Sequence, residues 1–293
     1  MPLTHTRTFR VRHSECDAYG HVNNAHYLRY LQEAAFEAAA AVGYGFDWYA
    51  RNGHVWLVRE TEIEYLSPLR YGDSVLVKTW VEDFRRARSR RAYEMRREPG
   101  GETVARATTD WVYVEAGSLR PASVPSEMTA AFGLAPGQES APRPKFPPAP
   151  PPPPGLFKIR RQVQWRDLDT MGHVNNAVYM DYVNDCGMQI IPAFGWSLAR
   201  MNTAGFGIIV KRHQIEYKGA ARLDDELEIS TWVSGLKRAS GTRHYQVHRV
   251  SDNALLAQVH SLCVWIDLAT GRPIPAPKDF IAAFEANIVV GAD

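Results

Sequence analysis

Cysteine is scarce in this chain of 293 residues, which contains only Cys16, Cys186 and Cys263. The count is odd, and the spacing is neither that of a zinc site nor that of a disulfide framework. No cysteine of one half has a partner at the matching position of the other half. We therefore expect reduced thiols, no metal, no cofactor and a cytoplasmic location.

Long apolar runs and a strong charge bias are also missing. No apolar stretch approaches the roughly 20 residues that a membrane-spanning helix needs, and residues 1–10 are polar, without the apolar core of a secretory signal. The formal net charge of +2 is too small to predict a nucleic-acid partner. We therefore expect neither a nucleic acid nor a membrane among the partners.

What the chain does contain is an internal repeat. Asp17-Ala-Tyr-Gly-His-Val-Asn-Asn recurs as Asp169-Thr-Met-Gly-His-Val-Asn-Asn, and 169 − 17 gives an offset of 152. The same offset relates Ile63-Glu64-Tyr65 to Ile215-Glu216-Tyr217 and also holds much further along the chain. One ungapped register over roughly 120 residues predicts two copies of a single module.

Proline separates the two copies. The intervening residues 134–155 include the run Pro150–Pro154, and proline cannot donate a ladder hydrogen bond. We therefore predict a first module at residues 1–133, a polyproline II spacer at 134–155 and a second module at 156–293.

Each copy has the same predicted order of elements. A short strand (Thr8–His13; Lys158–Trp165) precedes a turn and a long helix at about Asn24–Val42 or Asn176–Phe194, because asparagine favours a helix N-cap. The alanine-rich part of the first helix predicts burial on most of its sides. Closing helices are predicted near Pro125 and Pro277. Four β-rich runs lie between, and the whole order predicts an α+β fold. In the first copy these runs are about Val55–Leu66, Ser74–Phe84, Arg90–Arg97 and Thr103–Glu115, and in the second about Gly207–Tyr217, Glu226–Leu236, Thr242–Val250 and Leu255–Asp267.

A strand, the motif Asp-x-x-Gly-His-Val-Asn-Asn-x-x-Tyr, a buried helix and four strands together resemble the hotdog-fold thioesterases. These are the 4-hydroxybenzoyl-CoA thioesterase family and its acyl-CoA hydrolase relatives. The matching stretches are Val11–Tyr30 and Val163–Tyr182, with Tyr65–Asp73 and a weaker echo at Tyr217–Asp225. The plant-type acyl-ACP thioesterases are also tandem hotdogs with a similar His-Val-Asn-Asn stretch.

The resemblance implies a tandem double hotdog, in which two antiparallel sheets each wrap around a long central helix. It further implies that the sheets join edge to edge, so that the chain forms an internal pseudo-dimer; a further homo-oligomer stays open. The implied activity is hydrolysis of acyl-CoA or acyl-carrier-protein thioesters.

Two acidic residues are the leading catalytic candidates. Asp17 and Asp169 precede the predicted helix starts, where a carboxylate can attack a carbonyl or activate water. A mere turn or capping role is the alternative. The family geometry, carried onto Asn24 and Asn176, places their backbone N–H groups at the thioester oxygen as an oxyanion hole.

His21 and His173 are candidates to orient the carboxylate or to handle a proton, with a structural hydrogen bond as the alternative. In the plant-type enzymes the matching Asp and His act with an Asn between them. Here Tyr19 and Met171 hold that position, so the full set is not carried over. His21 and His26 lack zinc-site spacing.

Glu33 and Asp185 are secondary catalytic candidates at equivalent mid-helix positions, since 33 + 152 = 185. Some hotdog thioesterases place a catalytic acid roughly there. An acid inside an apolar helix is costly unless it is paired, so an ion pair or hydrogen bond with a nearby Arg or Tyr is the alternative.

Tyrosine and arginine side chains are candidates for binding the substrate. Tyr27 and Tyr179, with Tyr30 and Tyr182, are expected to line the acyl pocket, with a role as acids as the alternative. Basic hairpins at 85–91 and 237–243 can attract CoA phosphates or an acidic carrier protein, although a solvated hairpin tip explains them equally well. The arginines concerned are Arg86, Arg88, Arg238 and Arg243.

Two other functions stay open. A non-catalytic acyl-CoA or acyl-ligand binding module predicts loss of the catalytic Asp, yet both copies retain Asp and His. A hotdog dehydratase of acyl thioesters predicts a different arrangement of His and Asp or Glu, and that signature is not found.

Overall fold

The computed structural model describes residues 2–134, 143–289 and 291, and it contains two compact units. Unit 1 ends at Lys145 and unit 2 begins at Phe146, so the division falls within the proline-rich segment. Residues 135–142 of the predicted spacer lie outside the described residues, and residues 143–155 contain no helix or strand. No helix in the described ranges is long and apolar enough to cross a membrane.

Unit 1 is an antiparallel sheet of five strands with one long helix. The strand order is β1-β3-β4-β5-β2, and α1 lies against β1 and β3. The elements are β1 (Thr4–Arg10), α1 (Asn24–Ala41), α2 (Phe46–Asn52), β2 (His54–Tyr65), β3 (Ser74–Arg85), β4 (Arg88–Glu98), β5 (Glu102–Glu115) and α3 (Ser126–Ala131).

Unit 2 repeats this arrangement. Its strand order is β6-β8-β9-β10-β7, again antiparallel throughout, and α4 lies against β6 and β8. The elements are β6 (Phe157–Gln162), α4 (Val178–Ala193), α5 (Leu198–Thr203), β7 (Phe206–Tyr217), β8 (Glu226–Ser234), β9 (Ser240–Arg249), β10 (Leu255–Asp267) and α6 (Lys278–Phe284). The predicted α+β fold is confirmed.

The predicted first strands are wrong at their ends. β1 stops at Arg10 and β6 at Gln162, and residues 13–15 and 165–167 form short 3-10 helices instead. Each 3-10 helix is closed by its own acidic side chain, which accepts the N–H of the residue three positions earlier. A capped turn therefore replaces the last part of each predicted strand.

The helices differ from prediction in two respects, the start of α4 and the presence of two short helices. Regular α4 begins at Val178, two residues late, because Asn176 and Ala177 form a turn. α1 is mostly shielded from solvent, as predicted: of its 18 residues only Glu33, Ala40 and Ala41 are exposed. The short helices α2 and α5 were not predicted, and α5 is capped by Ser197, whose Oγ accepts the Arg200 N–H at 3.0 Å.

Three buried histidines distinguish unit 2. His213 Nδ1 lies 2.7 Å from Ser261 Oγ, His244 Nε2 lies 2.7 Å from Ser234 Oγ, and the His260 ring packs edge-on against His244. Burial lowers the pKa of His213 and of His244 to about 3 and that of His260 to about 4. The positions 152 residues earlier hold no titratable group: Thr61, Ala92 and Thr108.

Acid should therefore destabilise unit 2. These histidines are neutral in the folded chain, while the unfolded chain takes up protons below the ordinary pKa of 6.5. The contribution of these neutral histidines to the free energy of unfolding is therefore complete above pH 6.5. It is lost as the pH falls towards their folded-state pKa values, about 4 in the case of His260. For the fully buried His213, the loss at about pH 5 is about 2 kcal/mol.

The test is urea unfolding of the whole chain at about pH 7.5 and about pH 5. The double substitution His213→Thr with Ser261→Thr copies the Thr61–Thr109 pair of unit 1. It should reduce the difference in unfolding free energy between the two pH values by about the amount assigned to His213. An unchanged difference contradicts the assignment.

Candidate active site

The Asp-x-x-Gly-His-Val-Asn-Asn motif of each unit folds into a short hairpin, here called the motif hairpin, at residues 15–23 and 167–175. In unit 1 the Asp17 N–H donates to the His21 carbonyl at 2.8 Å, and the Asn23 N–H donates to the Glu15 carbonyl at 2.9 Å. Unit 2 repeats both bonds at 2.9 Å. The residues in unit 2 are Asp169, His173, Asn175 and Asp167.

Glycine makes the tip of each motif hairpin possible. Gly20 has φ +74 and Gly172 has φ +73, a left-handed conformation that costs glycine little. The Gly20 N–H donates to the Asp17 carbonyl at 2.9 Å and closes the tip. The glycine of the motif thus places the aspartate at the turn.

The two candidate aspartates use one carboxylate oxygen to hold the turn. Asp17 Oδ1 accepts the N–H groups of Tyr19 (2.9 Å) and His21 (3.4 Å), and Asp169 Oδ1 accepts that of Met171 (2.9 Å). Within the described ranges, no residue donates a hydrogen bond to Oδ2 of either aspartate. Asp17 is exposed and Asp169 half-buried, so Oδ2 can meet a substrate or a water molecule.

The candidate histidines contact the aspartates through backbone groups and not through their imidazole rings. The His21 N–H contacts the Asp17 carboxylate, whereas neither imidazole, of His21 or His173, has a hydrogen-bond partner among the described residues. Burial, followed by the charge of Arg70, lowers the pKa of His21, so its ring is neutral at pH 7. A role in proton handling stays a prediction for both histidines.

Asparagine side chains cap the start of each central helix. Asn23 Oδ1 accepts the Ala25 N–H at 2.9 Å, so Asn24 is the first helical residue of α1. Asn175 Oδ1 accepts the Ala177 N–H at the same distance. The first N–H groups of a helix have no intrahelical acceptor and lie at the positive end of its dipole.

The predicted oxyanion-hole residues are held by tyrosines of neighbouring strands. Tyr65 Oη donates to the Asn24 carbonyl at 3.4 Å, and Tyr217 Oη donates to the Asn176 carbonyl at 2.9 Å. In the part of the chain that the structure describes, nothing accepts a hydrogen bond from the Asn176 N–H. That N–H can therefore donate to a substrate oxygen.

Tyr27 and Tyr179 hold the loops that follow β2 and β7. Tyr27 Oη accepts the Leu69 N–H at 3.0 Å, and Tyr179 Oη accepts the Ala221 N–H at 3.1 Å. The Leu69 carbonyl in turn accepts the Val22 N–H of the motif hairpin at 2.8 Å. Burial raises the pKa of both tyrosines to about 12, so they are neutral. Contact with an acyl chain stays a prediction.

The four candidate arginines differ in their exposure to solvent. Arg86 and Arg88 are exposed at the turn between β3 and β4, and Arg238 is exposed between β8 and β9. Arg243 is half-buried and its guanidinium lies over the Phe284 ring, 6.0 Å from the centroid. The first three are open to solvent, whereas Arg243 takes part in packing, and binding of a charged substrate stays a prediction for all four.

Glu33 and Asp185 lie on the outer sides of the central helices and not inside them. Glu33 is exposed, and the Asp185 side chain is 52% exposed. Asp185 pairs with Arg161 at 2.6 Å, which is the ion-pair alternative weighed for it. Solvent reaches both side chains, so the cost of burying an acid does not arise. A catalytic role for Glu33 and Asp185 stays a prediction.

Sequence reasoning missed two buried acids, Glu15 and Asp167, whose exposed fractions are 8% and 5%. Each accepts one backbone N–H and one tyrosine hydroxyl, from Tyr30 or Tyr182. A signal was available: an acid stands two residues before the candidate aspartate in both copies, since 15 + 152 = 167.

Comparison with known families decides where the chain belongs. The profile of the Thioesterase-like superfamily matches it twice, at residues 11–132 and 163–284. The chain belongs to this superfamily. The two matches are 152 positions apart, which is the offset of the internal repeat. The resemblance to tandem hotdog thioesterases is thereby confirmed.

Curated relatives named as thioesterases match slightly less than half of this chain. A chloroplastic acyl-acyl carrier protein thioesterase of Arabidopsis thaliana is 31% identical over 132 residues, which is 45% of this chain and 69% of that protein. An acyl-CoA thioester hydrolase of Escherichia coli is 27% identical over 132 residues, 44% of this chain and 96% of that protein.

Solved structures match nearly the whole chain. A putative oleoyl thioesterase of Lactobacillus plantarum has a TM-score of 0.75 at 17% identity, covering 94% of this chain and 98% of that one. The 12:0-ACP thioesterase of Umbellularia californica has a TM-score of 0.67 at 20% identity, covering 89% and 93%. At such low identities these likenesses show a shared fold.

Proposed function

We propose that this superfamily member hydrolyses acyl thioesters to a free acid and a thiol. One observation carries the proposal: each motif hairpin holds a carboxylate with one unengaged oxygen and leads directly into the central helix of its unit. The relatives named as acyl-carrier-protein thioesterase and acyl-CoA thioester hydrolase support the same chemistry.

In the proposed reaction, Asp17 or Asp169 either attacks the thioester carbonyl carbon or removes a proton from an attacking water. The carbonyl electron pair moves to oxygen, and the N–H of Asn24 or Asn176 stabilises the negative charge. Collapse of this intermediate breaks the carbon–sulfur bond, and the thiolate takes up a proton. If the Asp attacked directly, water then hydrolyses the resulting anhydride and regenerates the carboxylate.

The thiol carrier stays open between CoA and acyl-carrier protein, since relatives of both kinds are known. The exposed Arg86, Arg88 and Arg238 suit either partner, because CoA carries phosphates and carrier proteins present acidic faces. A cytoplasmic location and edge-to-edge pairing of the sheets stay predictions, and the proposal names no acyl length and no further oligomer.

A panel of acyl-CoA and acyl-carrier-protein substrates, with free thiol detected by a thiol-reactive chromophore, tests the proposal. Steady release of thiol from at least one substrate is expected. Binding of acyl-CoA by calorimetry without any release supports the binding-module alternative. Loss or gain of an enoyl absorbance without thiol release supports the dehydratase alternative. Either of these last results contradicts the proposal.

A further inference from the structure

The buried acids Glu15 and Asp167 stand at the base of the motif hairpins. Glu15 Oε2 accepts the Arg12 N–H at 2.7 Å and the Tyr30 hydroxyl at 2.5 Å. Burying a carboxylate is costly unless hydrogen bonds replace its water, and these two donors do so. Burial, followed by the bond to Glu15, raises the pKa of Tyr30, so its hydroxyl keeps the proton that it donates.

Unit 2 builds the same contact with a shorter side chain. Asp167 Oδ2 accepts the Gln164 N–H at 2.9 Å and the Tyr182 hydroxyl at 2.8 Å. An Asp in one unit and a Glu in the other bring a carboxylate to equivalent partners. The feature that repeats is therefore the position of the carboxylate, and not the way in which the rest of the side chain packs.

The tyrosines of these two contacts, Tyr30 and Tyr182, lie in the central helices α1 and α4. Tyr30 is six positions after Asn24, which is about 9 Å along the helix at 1.5 Å per residue. Helical side chains lean towards the N-terminus, so the Tyr30 hydroxyl reaches back to the base of the hairpin. The Asn23 N–H, which donates to the Glu15 carbonyl, is a second connection close to the helix start.

Each tyrosine ring is fixed from its other side by the first strand of its unit. Phe9 stacks on Tyr30 with ring centroids 4.8 Å apart, and the Arg161 guanidinium lies 4.6 Å from the centroid of Tyr182. Phe9 and Arg161 are equivalent positions, since 9 + 152 = 161. Arg161 is itself held by the Asp185 carboxylate, which gives that candidate acid a supporting role.

We propose that Glu15 with Tyr30, and Asp167 with Tyr182, are positioning pairs that set the place of the reactive aspartate relative to the helix start. The inference rests on the proposed function, because that function assigns the aspartate carboxylate and the N–H group at the helix start to one reaction. The pair holds the hairpin base at two points of one helix, which fixes the tilt of the hairpin. The carboxylate of Asp17 or Asp169, two residues further along, moves with it.

The test compares two paired variants by steady-state kinetics on a substrate that the wild type hydrolyses. Tyr30→Phe with Tyr182→Phe removes both hydroxyls. We expect kcat to fall by about 10- to 100-fold, because a displacement of about 1 Å costs that much, while KM changes by less than about threefold. The pH profile of kcat should keep its apparent pKa values, since the pair moves no proton.

Glu15→Gln with Asp167→Asn is the conservative variant. An amide oxygen still accepts both the backbone N–H and the tyrosine hydroxyl, so kcat should stay within about threefold of the wild type. A large loss of kcat here, or a shifted pH profile, overturns the inference, because it assigns the acid a direct part in proton transfer. This variant also keeps the inference testable if the paired phenylalanine variant does not fold.

Tyr49→Phe is the matched control. Its hydroxyl accepts the Trp56 Nε1–H at 3.0 Å, away from the motif hairpin, so its loss should leave kcat unchanged. If the wild type is active and the paired phenylalanine variant keeps its full kcat, the positioning inference alone is overturned. A wild type without activity on any acyl thioester overturns the proposed function and this inference together.

Discussion

Replacing Asp17 and Asp169 together by asparagine should lower kcat by about 10³-fold or more, while the fold stays intact. The structure explains why the fold should survive. Among the described residues, only Oδ1 of each carboxylate holds the turn, through the N–H groups of Tyr19, His21 and Met171. An asparagine Oδ1 accepts the same bonds, but its amide nitrogen neither attacks a carbonyl nor removes a proton from water.

The measurements are thiol release under saturating substrate and circular dichroism at rising temperature. Asp47→Asn with Asp279→Asn is a matched control, because it removes one exposed carboxylate from a short helix of each unit. That control should keep wild-type kcat. Wild-type kcat in the Asp17→Asn with Asp169→Asn variant contradicts the assignment of the base or nucleophile. The two single variants show whether one unit or both are active.

Replacing Asn24 and Asn176 together by proline should lower kcat by about 10²- to 10³-fold, the usual cost of losing one oxyanion donor. Proline removes the backbone N–H. At Asn176, two residues before α4, it interrupts no helix, and at Asn24 it is tolerated in the first turn of α1. The residue before it also suits proline, since Asn23 is extended with φ −60 and ψ 140. The expected loss therefore reports the N–H and not a broken helix.

Alanine at the same two positions is the control, because it deletes the side chains and keeps both N–H groups. We expect the alanine variant to retain most of its kcat, and both variants to show the helical content of the wild type. Equal losses for proline and alanine place the function in the side chains of Asn24 and Asn176. Full activity of the proline variant excludes these N–H groups from the reaction.

Local patterns predicted the secondary structure of this chain well wherever neighbouring residues decide it. β10 spans Leu255–Asp267 as predicted from its β-rich composition, and α1 begins at Asn24 because Asn23 caps it. The predicted C-terminal ends of the two first strands were wrong, because the side chains of Glu15 and Asp167 cap a turn there. A propensity pattern does not show which side chain will turn back on its own backbone.

The sequence by itself determined the duplication, the α+β fold and the motif that carries the candidate aspartates, since each depends on residue order alone. Only the tertiary structure decided what holds that motif. The Tyr30–Glu15 bond joins residues 15 positions apart, and the Leu69–Tyr27 bond joins residues 42 apart. Such partners meet only after the helix packs on the sheet, so no local spacing indicates them. For the same reason Asp185 was considered as an acid of the reaction, whereas the fold pairs it with Arg161 of β6.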